Sequence, residues 1–227
     1  DQGVFALAAD GATVYAGGYF TQVGGLARSH LAAIDAMSGG LTTWDPSPNS
    51  VVSVIELSGG SIYIGGSFTA LGATPRNHLA AIDPVSGLDT GWAPVFKGHG
   101  PVNTLAESGG VIGVGGDFSV IDGDERSHVA AIDAATGLVS SWNPGTDGTV
   151  WSILAPGNSI YLGGSFSFAG GKPRANLAEI GGIVDVATDF NPSSNGAVFA
   201  LAAGSTFIYA GGSFSLIGAD NRLGLAQ

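Results

Sequence analysis

Five arginines stand at one register of this chain, Arg28, Arg76, Arg126, Arg174 and Arg222, and they are five of its seven basic residues. Guanidinium groups repeated in this way have the chemistry of a carboxylate or phosphate clamp, or of ties to backbone carbonyls and nearby acids. A residue present in every copy serves what every copy shares, so the tie is the expected use. Two residues beyond the first three stand His30, His78 and His128, replaced by Asn176 and Gly224 in the last two copies. Three histidines can hold zinc, but each of these belongs to a different copy, and hydrogen bonding near a loop is the expected role. Asp122, Asp124 and Glu125 form an acidic cluster without the Asp-x-Asp-x-Asp-Gly spacing of a calcium loop. It reads as a solvated loop, with weak Ca²⁺ binding as the alternative. Trp44, Trp92 and Trp142 present faces on which a sugar could stack, yet Phe190 at the fourth position keeps only the bulk. Packing between repeats accounts for that better. Gly-x-Ser-x-Gly, His-Glu-x-x-His and P-loop patterns are missing from the sequence. Carboxylate pairs for glycoside hydrolysis form in three dimensions, and spacing singles out none.

The elements that carry these residues are copies of one unit. Gly17-Gly18, Gly65-Gly66, Gly115-Gly116, Gly163-Gly164 and Gly211-Gly212 recur at 48- or 50-residue intervals, each followed by Phe20, Phe68, Phe118, Phe166 or Phe214. Such a period over the whole length means one supersecondary unit, stacked. Val52 and Ile55, like their counterparts in the other copies, lie three apart on a first strand and so face opposite sides. That strand is expected to be buried on both faces. A Gly-rich hairpin turn leads to a second strand, such as Ile62-Tyr63-Ile64, which runs into the glycine pair. Glycine at that point implies a bulge or a close backbone approach. A polar loop and the arginine precede a third strand, His30 to Asp35 in the first copy. An Asp-x-x-Ser/Thr-Gly turn then leads to a fourth strand ending at Trp44-Asp45-Pro46 or its equivalent.

These units predict an all-β fold, a β-propeller with five four-stranded antiparallel blades, the last incomplete. It is expected to form one domain over 1–227, with repeats at about 4–51, 52–101, 102–149, 150–197 and 198–227. The last copy stops at Gln227, inside its third strand, so closure on a three-stranded blade and a longer array both remain open. The longer array is preferred, since residues 1–3 cannot supply the missing fourth strand; the start at Asp1 without a methionine suggests a processed product or a piece of something longer.

Net charge is −11, from 18 acidic and 7 basic residues. That leaves too few cations for a phosphate-neutralising face, so no nucleic-acid partner and no attraction to an anionic membrane are expected. With no cysteine, disulfides and thiolate metal sites are excluded. Apolar runs of about six residues are far short of a membrane span.

The pattern Gly-Gly-x-Phe-Ser/Thr, then Gly, then Arg-x-x-Leu-Ala-x-Ile-Asp resembles the bacterial delta-sixty repeat β-propellers over essentially the whole chain. Ala130 to Gly137 is also similar, locally, to the strand-three-to-four hairpin of quinoprotein-type propeller repeats, which implies shared blade geometry rather than a bound quinone. The first resemblance implies a non-catalytic module of large secreted or cell-surface bacterial proteins, with no general catalytic residues to carry over.

The expected function is therefore a structural or interaction module, extracellular or at the cell surface, with no catalysis and no cofactor. Its partners would be a protein, a cell-surface glycan or other domains of a longer parent chain. The rival readings are a lectin-like carbohydrate-binding propeller and, more remotely, a polysaccharide-active enzyme. Length changes only after Pro94, and side chains vary most in the loops between strands two and three. That places a candidate ligand face at Lys97, His99, Asp124, Glu125, Lys172 and Asp220.

Overall fold

The computed structural model describes residues 2–97, 100–182 and 184–227. Alternating apolar residues bounded by Gly-rich turns fold as expected into strands, and no helix forms among the described residues. Two compact units result, one of Asp1–Phe96 with Ala134–Gly137, the other of Lys97–Asp133 with Leu138–Gln227. The first carries repeats one and two; the second carries most of repeat three and all of repeats four and five.

Each repeat contributes an antiparallel sheet of three strands in the order one–two–three. Strand one is Val4–Asp10, Val52–Ser58, Val102–Ser108, Val150–Leu154 or Val198–Ala203. Strand two is Thr13–Gly18, Ser61–Gly66, Val111–Gly116, Ser159–Gly164 or Ile208–Gly212. Strand three is Leu31–Asp35, Leu79–Ile82, Val129–Asp133, Leu177–Gly181 or Leu225–Ala226. The expected fourth strand is reduced to a single antiparallel bridge per repeat, Ile34 to Leu41, Ile82 to Asp89, Ile132 to Val139 and Ile180 to Ala187. The reason is local: Trp-x-Pro follows within a few residues, and proline cannot donate to a ladder.

The glycine pair does two different jobs. A Cβ on the second glycine would collide with a main-chain carbonyl that leads into strand one, Val51 for Gly66 and Pro101 for Gly116. A Cβ on the first would meet the next repeat: Gly17 faces Val52 Cγ1 at 2.7 Å, Gly115 faces Val150 Cγ1 at 2.6 Å, and Gly163 faces Val198 Cγ1 at 2.7 Å. Close approach is thus confirmed as the reason for the pair. The bulge lies opposite it, on strand one, where pairing skips one residue between Val52 and Val54 and at the same place in every repeat.

Apolar packing follows the same joints. In the first unit Tyr15, Leu31 and Trp44 of repeat one share a core with Val52, Ile55 and Phe68 of repeat two. In the second unit Val129 of repeat three packs with Val150 and Phe166, and Leu177 of repeat four with Val198 and Phe214. Strand one is buried on both faces only in the interior repeats. Val52, Val102 and Val150 are fully buried, but Val4 is 51% exposed and Leu7 68%.

Strand three starts one residue later than its sequence suggests. His30, His78, His128 and Asn176 have φ of 63, 67, 67 and 63°, and Gly224 has 72°. A left-handed residue cannot open a strand, and histidine, asparagine and glycine are among the residues that tolerate this conformation.

Candidate functional site

The variable loops form two-stranded hairpins with nearly identical backbones. Val120–Ile121 pairs with Asp124–Glu125, Phe168–Ala169 with Lys172–Pro173, and Leu216–Ile217 with Asp220–Asn221. Gln22–Val23 with Leu26–Ala27 and Ala70–Leu71 with Thr74–Pro75 complete the set. Three of them are held at the base by an Asn or Asp side chain. Asn49 Oδ1 accepts from the amides of Thr69 and Ala70, Asp147 Oδ1 from those of Ser167 and Phe168, and Asn195 Oδ1 from those of Ser215 and Leu216. At Asp147 burial pushes the carboxyl up, but the Ser167 hydroxyl and these amides outweigh it and hold it below the usual carboxylate range.

A second hold comes from the arginines. Arg28 donates to the carbonyls of Ala27 at 2.8 Å and Thr42 at 2.6 Å, and Arg126 to those of Glu125 and Ser140, both at 2.8 Å. Arg174 repeats this on Pro173 and Thr188. Arg76 instead grips Asp89 through Nε at 2.8 Å and Nη2 at 2.5 Å, a fork matched to a carboxylate. These guanidinium groups hold the hairpins rather than facing a ligand.

The expected ligand-face residues lie on or beside these hairpins. Asp124, Glu125 and Asp220 are exposed, Lys97 is exposed on the short strand Phe96–Lys97, and Lys172 is half-buried. His99 lies outside the described residues. The ion pairs recorded for this set run to scaffold neighbours: Asp124 to Arg126 at 3.8 Å, Lys172 to Asp189 at 3.6 Å, and Asp220 to Arg222 at 3.4 Å. Such exposed pairs contribute little. Among the described residues no three His, Cys, Asp or Glu side chains gather as metal ligands, the Asp122–Asp124–Glu125 cluster included.

Two features escaped the sequence. One is an exposed aromatic pair at adjacent bulges: Trp151 and Phe199 meet edge-on at 6.2 Å, 38% and 51% exposed. Their signal was the position skipped between Val and Ser or Ala, which varies from Phe5 to Ser53 to Asn103. The other is a cleft of about 290 Å³ where repeat three meets repeat four, lined by Gly113, Trp142, Ile153, Ile160 and Gly182. Elsewhere tyrosine occupies the place of Gly113 and meets the aromatic of its own repeat edge-on, Tyr15 on Trp44, Tyr63 on Trp92 and Tyr161 on Phe190. Similar clefts line two other joints, about 270 Å³ beside Tyr15 and about 470 Å³ beside Tyr63. What sets repeat three apart is the missing ring, not the volume. Its apolar walls can hold a small hydrophobic group and offer no acid–base pair.

Neither a protein-family model nor a curated protein matches the chain. Solved structures do. The computationally designed Ika8 protein is 15% identical, with a TM-score of 0.62 over 92% of this chain and 55% of that one. The extracellular domain of a putative one-component system from B. thetaiotaomicron, BT4673, is 18% identical, with a TM-score of 0.59 over 93% of this chain and 26% of that one. The Neurospora crassa Pan2 WD40 domain is 12% identical, with a TM-score of 0.60 over 92% and 60%. The chain thus spans from about a quarter to three fifths of these structures. At such identity the likeness speaks for the fold alone, an all-β repeat architecture of the WD40 propeller kind.

Proposed function

We propose that the chain is a non-catalytic interaction module of a secreted or cell-surface bacterial protein, built as a five-repeat stretch of β-propeller. One observation carries the reading: five hairpins of the same backbone, pinned at their bases, present tips that differ in charge and shape. In Leu26-Ala27, Thr74-Pro75, Asp124-Glu125, Lys172-Pro173 and Asp220-Asn221 the following arginine grips a main-chain carbonyl, which any side chain can supply, so side-chain identity is left to vary. Rigid scaffolds that vary only at loop ends are display surfaces. The resemblance of the repeats to bacterial delta-sixty propellers supports the placement, as does the likeness of fold to an extracellular bacterial domain. Partners are a protein or a cell-surface glycan.

The test replaces the charged tips together (Asp124→Ala, Glu125→Ala, Lys172→Ala, Asp220→Ala) and probes arrays of bacterial surface glycans and of extracellular proteins. Binding lost by this variant at an unchanged melting temperature supports the reading. Binding unaffected by it, or release of sugar from a polysaccharide, overturns it.

A lectin-like reading is favoured by the exposed Trp151–Phe199 pair, a ring surface with one polar handle, since Trp151 Nε1 donates to Ser165 Oγ at 2.9 Å. Trp151→Ala would then abolish glycan binding while the tip variant kept it.

A further inference from the structure

Four repeats carry a tyrosine at one place of strand two, Tyr15, Tyr63, Tyr161 and Tyr209, and the third carries Gly113. In three of them the ring meets the aromatic that ends its own repeat, at 5.3 Å on Trp44, 5.0 Å on Trp92 and 5.5 Å on Phe190. The third repeat keeps the partner, Trp142, and leaves the ring's place to the cleft of about 290 Å³. That cleft lies over Gly113 itself, since its lining includes Ala106 and Ala131, the two residues that pair with Gly113 across the sheet. Ala131 is accordingly more exposed than Ala33 and Ala81, which pair with Tyr15 and Tyr63. The clefts beside those tyrosines are bounded by the ring and by polar residues, Asp10 and Ser58 in one, Thr90 and Thr136 in the other.

The walls suit one aromatic ring. Trp142 is half-buried, whereas Trp44 and Trp92 are buried, so an indole that elsewhere meets tyrosine is left open to the cleft. Ile153, which a Cβ on Gly113 would meet at 3.7 Å, is the opposite wall. An apolar cavity of about 150 Å³ takes up benzene, so this space admits a ring with a small substituent. A polar end is present too. In the second repeat the Tyr63 hydroxyl donates to the Ala134 carbonyl at 2.9 Å, and Gly182, the counterpart of Ala134 one repeat on, lines the cleft.

We propose that this cleft is a binding site for a free phenol, a small molecule of one substituted ring. The ring takes the place that the chain's own tyrosine fills in other repeats, stands edge-on to Trp142 and donates its hydroxyl to the Gly182 carbonyl. The identity of the occupant rests on that internal match: the same sheet positions already hold a phenol ring in repeats one, two and four. Edge contacts of this kind favour an aromatic ring over a saturated one of equal size. The site uses none of the hairpin tips and is independent of whatever they bind.

The probe is p-cresol, which is the tyrosine side chain as a free molecule. Equilibrium dialysis against the whole chain is expected to find one saturable site. Titration should move the indole N–H resonance of Trp142 selectively among the four tryptophans, with Trp142→Phe assigning that resonance. 4-Methylcyclohexanol, of the same length and with the same hydroxyl, should bind about fivefold more weakly through loss of the edge contact. Gly113→Tyr supplies the ring covalently and should abolish binding. Absence of saturable p-cresol binding to the unaltered chain overturns the proposal, as does binding that Gly113→Tyr leaves intact. Shifts confined to the other tryptophans overturn it as well, and that readout stands even if the Gly113 variant fails to fold. Equal affinity for 4-methylcyclohexanol overturns the assignment of an aromatic occupant.

Discussion

In the second repeat Tyr63 stands edge-on to Trp92 at 5.0 Å, and its hydroxyl donates to the carbonyl of Ala134 at 2.9 Å. In the third repeat the same place holds Gly113, and Trp142 has no ring beside it from strand two. The acceptor side differs too. Ala134 is the second residue of the Asp-x-x-Thr-Gly turn Asp133 to Gly137, whereas Gly182, its counterpart one repeat on, follows Gly181 in a segment without that motif. Gly182 nonetheless bonds to the Asn158 carbonyl at 3.0 Å, as Ala36 does to Ala12 at 2.7 Å. The main-chain frame is therefore preserved while the side chains that fill it are not. Repeat identity lives in the backbone contacts, and each joint tolerates a different filling.

The sharpest way to break this comparison is to make repeat two resemble repeat three. Tyr63→Ala removes a buried ring, its edge contact with Trp92 and a hydrogen bond, and is expected to cost about 3–5 kcal/mol, the range for large aromatic truncations. Urea unfolding measures it. Gly113→Ala, which adds a methyl group beside Ala106 O at 3.3 Å and Ile153 Cγ2 at 3.7 Å, should change stability by less than about 1 kcal/mol. Equal losses from the two would end the claim that the tyrosine joins the repeats.

The converse substitution, Gly113→Tyr, is expected to stabilise. Gly113 pairs with Ala106 as Tyr15 pairs with Ala8 and Tyr63 with Glu56, so the backbone already accepts tyrosine at this register. An edge contact with Trp142 is worth about 0.5–1.5 kcal/mol beyond area burial. A rise in melting temperature with quenching of Trp142 fluorescence is the expected result. A fall would show that the cleft is closed by other means.

A smaller contrast concerns the indoles. Trp44 Nε1 donates to the carbonyl of Asp83 at 3.1 Å, while Trp142 Nε1 is buried without a partner among the described residues. Trp44→Phe should therefore cost about 1 kcal/mol more than Trp142→Phe, the net worth of one hydrogen bond. Phe190 shows that the position accepts phenylalanine.

Much of this was legible in the sequence because it recurs. The glycine pairs and the arginine register recur in five copies and the Asp turn in three, and the structure assigns each a contact. His30, His78 and His128 were misplaced at the start of a strand. Backbone dihedrals leave no periodicity, yet the replacement by Asn176 and Gly224 was itself the mark of a left-handed residue. The fourth strand was overestimated because alternation in Leu41-Thr42-Thr43-Trp44 looks like a strand, while pairing fails after a single bridge. The hairpin clips of Asn49, Asp147 and Asn195 went unseen because they act about twenty residues away. His99 stands at the same sequence offset in the third copy, although it was placed on the candidate face by the length change after Pro94. Exposure of Val4 and Leu7 could not be read from residue types at all, since their counterparts are buried with the same side chains.

The faintest difference between joints is electrostatic. Asp83 Oδ1 accepts from the Ser86 amide at 2.6 Å, the Ser86 hydroxyl at 2.8 Å and the Val85 amide at 3.1 Å. The Ser86 amide and then its hydroxyl hold the carboxyl below the ordinary aspartate value. A depressed folded-state pKa means that this stabilisation is complete above the unfolded value, near pH 4, and disappears as pH falls through the lower folded value. Asp35 has the same arrangement with Ser38 and Met37. Repeat four has Gly181 at this position and adds no such dependence. Asp83→Asn together with Asp35→Asn should flatten the acid limb of a stability–pH profile, leaving stability at neutral pH little changed because asparagine retains an acceptor for the turn. An unaltered acid limb would assign the pH dependence to other carboxylates, with Glu179 foremost. There burial pushes the pKa up, but hydrogen bonds from Ser159, Thr188 and Tyr161 bring it below the usual value. Glu179→Gln would then flatten the profile instead, through a carboxylate that only the fourth repeat possesses.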